Sequence, residues 1–137
     1  MDEALAQLTC EWLTKALHDI QTARITANTP EGPLDTAIYH CQQAAEKSVK
    51  GWLTGNNLSF EKTHDIRRLI RQAAALRAEF EGFAAAAEIL TPYVSAFRYP
   101  GLTDDLMPSR EEFDIALQHA ETIYDFVLKL LPPPARP

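Results

Sequence analysis

The segment Tyr39 to Leu53, YHCQQAAEKSVKGWL, most constrains what this chain can fold into. Ile38, Cys41, Ala45, Val49 and Trp52 recur at helical spacing and form a narrow stripe of mostly small residues. His40, Gln43, Lys47 and Lys50 align on another side of the same helix. Small residues at a seam let two helix backbones approach closely, and polar side chains beside that seam then require partners. The segment predicts a tightly packed helix pair with a recognition surface along its border.

The rest of the chain is punctuated into further helices, and no strand pattern stands out. The first helix is expected from about Glu3 to Thr26, with Leu5, Leu8, Trp12, Ala16, Ile20 and Ala23 facing inward. Thr29-Pro30-Glu31-Gly32-Pro33 ends it, and the second helix follows from about Leu34 to Leu53. Gly55-Asn56-Asn57 reads as its left-handed cap. The third opens near Thr63 as N-cap, carries Asp65 in its first turn and points Ile66, Leu69, Ile70, Ala73 and Leu76 inward. The fourth spans about Glu81 to Phe97, with Pro92 predicting a kink or a broken first turn. The fifth begins with the capping-box spacing Ser109 and Glu112 and buries Phe113, Ala116, Leu117, Ala120, Ile123, Tyr124, Val127 and Leu131. Short loops between such helices predict an all-α, up-and-down antiparallel bundle of four to five helices. The bundle is expected to be a single domain over 1–131, and the Pro-rich tail 132–137 is expected to be disordered.

Composition narrows the function. A net charge of -6 argues against duplex nucleic acid held by charge alone, while leaving room for a local basic patch. Cys10 and Cys41 have no metal-ligand spacing and read as two buried free thiols. The acidic start and the lack of a long apolar run predict a cytoplasmic protein with no membrane association. A glycine-rich phosphate loop, HExxH, paired Glu-x-x-His and GxSxG are all missing, so no cofactor or metal is called for.

Three places could carry chemistry. Arg98-Tyr99-Pro100 follows the fourth helix; the guanidinium suits the helix dipole, and equally suits a phosphate, with Tyr99 as a stacking face. His64 could meet an anion at the start of the third helix or cap it locally, while His40 beside the seam reads more simply as a satisfied, partly buried histidine. Arg67, Arg68 and Arg71, reinforced by Lys62, form a basic patch that is either a solvated face or a phosphate contact. Glu46 and Lys50 read as an ordinary i,i+4 surface pair of about 0.3–0.5 kcal/mol.

Taken in order, HCQQAAEKSVKGWL (His40 to Leu53), KTHDIRRLI (Lys62 to Ile70) and FRYP (Phe97 to Pro100) resemble the HEPN domains, over about Ala4 to Leu131. The resemblance implies a helical bundle that often forms homodimers and often works beside a minimal nucleotidyltransferase in a toxin–antitoxin-like pair. Many such domains are metal-independent ribonucleases whose motif is an arginine, four to six residues and a histidine. Arg98 maps onto that arginine, but YPGLTDDLMP follows and the next histidine is His119. The expected function is therefore a module that binds a nucleotide or RNA through Arg98, Tyr99, His40, Gln43, Lys47 and His64, together with a protein partner, without the standard ribonuclease motif. The alternatives are a ribonuclease toxin using Arg98 with His40 or His64, and a non-catalytic dimeric subunit whose seam Ala37, Cys41, Ala44 and Ser48 is the dimer interface.

Overall fold

The computed structural model describes residues 1–102 and 104–137. Among the described residues there are five α-helices and no strand: α1 Glu3–Asn28, α2 Leu34–Gly55, α3 Ile66–Ala74, α4 Ala84–Leu90 and α5 Arg110–Leu130. The chain is an all-α helical bundle. Its most extensive pairing is α1 against α2.

The two run antiparallel: Thr9 lies beside Gly55, Leu13 beside Gly51, and Asp19 beside His40 and Lys47. Gly51 faces little free space there. A Cβ added to it would lie 2.4 Å from Leu13 Cδ2 and 3.0 Å from Trp12 Cβ. That close approach sets which side of α1 turns inward. Ala6, Thr9, Leu13, Ala16, Asp19, Ile20 and Ala23 are buried, while Leu8 is exposed. Of the expected inward face, Ala16, Ile20 and Ala23 are buried, whereas in the first half Leu5 is only half-buried and Leu8 turns outward, in favour of Ala6, Thr9 and Leu13; Trp12 sits at the margin, edge-on to Phe60 with centroids 5.5 Å apart.

The stripe on α2 is buried in full: Ala37, Ile38, Cys41, Ala44, Ala45, Ser48 and Val49 have no exposed surface. A seam already filled inside one chain has no surface left for a second copy, so Ala37, Cys41, Ala44 and Ser48 are not a dimer interface. Gly55, expected in the cap, is the last helical residue, packed against Met1, Thr9 and Leu131; the left-handed residue is Asn57, with φ 58°.

α3 begins later than expected. Its cap is the Asp65 carboxylate, which accepts from Arg67 N at 3.0 Å, whereas the Thr63 hydroxyl accepts from Asp65 N. Leu76 falls beyond the helix end and is exposed. The expected fourth helix is divided into a 3-10 turn Ala78–Phe83, α4, and a second 3-10 turn Thr91–Val94. Pro92 lacks the N–H that would continue the α ladder, and the tighter turn starts there. Phe80, Phe83 and Phe126 form an aromatic cluster with Trp52 under this segment.

α5 runs alongside α2 in the same direction, with Leu131 near Gly55 and Glu121 paired with Arg24 of α1 at 2.9 Å. Ser109 caps it, accepting from Glu112 N at 3.0 Å. The Glu112 carboxylate turns instead to the Tyr93 hydroxyl, which donates to it at 2.7 Å. The tail differs from the expected disorder. Pro133–Ala135 forms a 3-10 turn, Ala135 is buried, and Arg136 Nε donates to Leu131 O while Cys10 Sγ donates to Arg136 O. Three prolines restrict the chain enough that one small buried residue and the hydrogen bond from Cys10 hold it against α1, while Arg136 ties it back to the end of α5.

Candidate functional site

The polar side of α2 is organised by two acidic residues. Asp19 of α1, only 7% exposed, reaches across the helix pair. Its Oδ1 lies 2.8 Å from His40 Nδ1, and its Oδ2 accepts from Lys47 Nζ at 2.7 Å. His40 and Lys47, two turns apart on α2, are therefore brought together by an acid that sequence reasoning passed over. The missed signal is a carboxylate inside the inward stripe Leu13, Ala16, Ile20, Ala23. Such a residue persists only when paired.

The second acid is Glu46, 3% exposed. It accepts from Lys50 Nζ at 2.9 Å and from Gln42 Nε2 at 3.1 Å, and lies 2.9 Å from His64 Nδ1. Gln42 also donates to the His64 carbonyl at 3.0 Å and accepts from Gln43 Nε2 at 2.6 Å. Glu46 and Lys50 are thus the centre of a buried network and not the surface pair expected. His64 belongs to that network and neither caps α3 nor borders the groove at Arg98.

Arg98 stands in the turns after the fourth helical segment, immediately after Phe97, whose φ is 66°. That left-handed conformation, uncommon for an aromatic residue, re-aims the chain so that Arg98 folds back over α2. Its Nη1 donates to Val94 O at 2.6 Å, and its Cζ lies 3.9 Å from the centroid of the Tyr39 ring and 5.4 Å from that of Tyr99. The cation contacts two aromatic rings and remains exposed. Tyr39, His40, Thr36, Asp35 and Arg98 border one shallow pocket; Tyr99 borders a second, which shares Asp35 and Arg98 with the first. The loop that continues from it includes Thr103, which lies outside the described residues.

The arginines of α3 do not join this groove. Arg67 forks onto Asp65 and reaches Glu88 at 3.4 Å, and Arg68 pairs with Glu61 at 3.3 Å, so acidic neighbours largely neutralise the patch; Arg71 is exposed. The guanidinium of Arg67 holds the Asp65 carboxyl below its usual range. Burial raises the Cys41 thiol to about 12, and burial with the Glu112 contact raises Tyr93. Both groups are neutral near pH 7. Among the described residues, no group of three or more His, Cys, Asp or Glu is arranged to hold a metal ion, and no helix is long and apolar enough to cross a membrane.

These features define a small all-helical module whose exposed arginine is clamped against the bundle's central helix by aromatic rings. The sequence model of the HEPN domain matches residues 9–130, and the chain belongs to the HEPN family. No curated protein and no solved structure matches it.

Proposed function

We propose that this chain binds a nucleotide or a short stretch of RNA in the groove at Arg98, without cleaving it, and works with a protein partner, a minimal nucleotidyltransferase of a toxin–antitoxin-like pair. One observation carries the binding reading: an exposed guanidinium that lies over the Tyr39 ring and near the Tyr99 ring, in a pocket that His40 also borders. A guanidinium forks onto phosphate oxygens, and exposed aromatic rings accept a base at sequence-tolerant stacking energies of about 1–3 kcal/mol. Lys47 neutralises Asp19, which otherwise would repel an anion near His40. The partner and its toxin–antitoxin setting come from the family and stand as part of this proposal, as does homodimer formation. Calorimetry with nucleoside monophosphates and short RNA tests the site. Binding that is abolished by Arg98→Ala and weakened by Tyr39→Ala is expected; binding absent in the natural chain, or indifferent to Arg98→Ala, removes the reading.

A second reading has its own observation. His40, paired with Asp19 at 2.8 Å, borders the same pocket as Arg98, and no protein partner of its Nε2 is found among the described residues. Such an imidazole could take the proton of a ribose 2′-hydroxyl while Arg98 stabilises the phosphate. Cleavage of mixed RNA in EDTA that disappears in His40→Gln supports this ribonuclease reading; no cleavage ends it.

A further inference from the structure

Two shallow pockets meet at Arg98. One, of about 340 Å³, is bordered by the polar groups of Thr36 and His40; the other, of about 380 Å³, by Tyr99, Leu106 and Met107. Asp35 and Arg98 border both. Asp35 Oδ1 accepts from its neighbour's backbone, Thr36 N, at 2.7 Å and from the Thr36 hydroxyl at 3.4 Å, and no partner of Oδ2 is found among the described residues.

A carboxylate beside a guanidinium is a poor trap for a bare anion, because Asp35 repels what Arg98 attracts. The pair suits a ligand that carries a negative group and, a short distance away, N–H donors. Resting on the reading that the Arg98 groove takes a nucleotide, we infer that it selects guanine, with Asp35 as the specificity-determining residue. Guanine alone among the four bases offers two adjacent donors, N1–H and N2–H, which match the two oxygens of one carboxylate. Adenine and cytosine place a ring acceptor beside the amino group, where it would face a carboxylate oxygen. Uracil has a single N–H between two carbonyls. The ring occupies the apolar pocket against Tyr99 and Met107, and the phosphate lies across Arg98 toward His40 and Thr36.

The test is titration of the full chain with the monophosphates of guanosine, adenosine, cytidine, uridine and xanthosine, and with inorganic phosphate. Guanosine monophosphate is expected to bind about tenfold tighter than the other three natural monophosphates, the value of one charge-assisted hydrogen bond, and phosphate alone weakest. Asp35→Asn should move the preference to xanthosine monophosphate, because the amide donates to the added carbonyl at C2 and still accepts from N1–H. Asp105→Asn, which removes the other carboxylate lining the Tyr99 pocket, should leave the guanine preference in place if Asp35 is the residue that reads the base. Equal binding of the four natural monophosphates, or a guanine preference that survives Asp35→Asn, overturns the inference while leaving the nucleotide site standing. Absence of all binding, with Arg98→Ala unchanged, overturns both.

Discussion

Replacing Lys50 with methionine should cost this protein about 3 kcal/mol, far more than a helix-surface ion pair is worth. The Lys50 and Glu46 side chains are 9% and 4% exposed and 2.9 Å apart. Methionine keeps most of the lysine stem's volume against Phe60, whose ring centroid lies 5.2 Å from the ammonium. It removes only the cation. Glu46 would then be a buried carboxylate with Gln42 and His64 as its remaining partners. Breaking a buried pair from one side costs about 3–5 kcal/mol, and the two surviving contacts place this case at the lower end. With an unfolding entropy of about 2.1 cal/mol/K per residue, 3 kcal/mol corresponds to a fall in Tm of about 10 °C for a chain of this length. Urea unfolding at pH 8 is the assay. The double variant Glu46→Leu with Lys50→Met should recover most of the loss, since an apolar pair of similar volume replaces the charges. A loss below about 1 kcal/mol in Lys50→Met at pH 8 would show that water reaches the pair and that surface energetics apply.

Other perturbations read different parts of the bundle. A thiol reagent at pH 8 should label Cys10 in the folded protein and spare Cys41, which is buried and raised to about 12, until the chain unfolds. Equal labelling of both would refute the packing of the α2 stripe. Gly51→Ala should destabilise by about 1–2 kcal/mol despite gaining helix propensity, because the new methyl meets the fully buried Leu13; a stabilised variant would mean that α1 and α2 separate freely. Asp65→Ala should cost about 1 kcal/mol at neutral pH through the lost N-cap. Because Arg67 lowers the Asp65 carboxyl, its contribution is present above the unfolded value of about 4 and lost as pH falls through the folded one. The gap between Asp65→Ala and the natural chain should therefore narrow in acid denaturation.

How much was legible in the sequence follows the physics of each element. α2 and α5 were readable because a long apolar period, a cap and a breaker all agree, as Ser109 with Glu112 illustrates. The face of α1 was misread because hydrophobicity alone favours Leu8 and Trp12, whereas the close contact at Gly51 admits Leu13 and small residues. In the fourth segment the break at Pro92 was legible, whereas the separate 3-10 turn Ala78–Phe83 was not, because no proline marks its boundary with α4. At the site, Arg98, Tyr99 and His40 were legible as residue types, and the structure brings them to adjoining pockets. Tyr39 and Asp35 were not, since their role depends on a left-handed Phe97 folding Arg98 back onto α2. The partners of His40 and His64 were invisible because Asp19 and Glu46 lie 21 and 18 positions away from them along the chain.

The groove at Arg98 has two walls of unlike origin. Asp35, Thr36, Tyr39 and His40 stand on α2, which is buried along most of its length and pinned by α1 and α5. Tyr99, Leu106 and Met107 come from a connection in which none of the described residues between Arg98 and Met107 belongs to the core. Changes on the helix wall are therefore tied to the stability of the whole bundle, whereas changes in the connection are nearly free of that penalty. On the proposed reading, the contacts that Leu106 and Met107 offer a ligand can be rewritten at little cost to the fold, while Asp35 and the Tyr39 side of the arginine clamp are inherited with the helix.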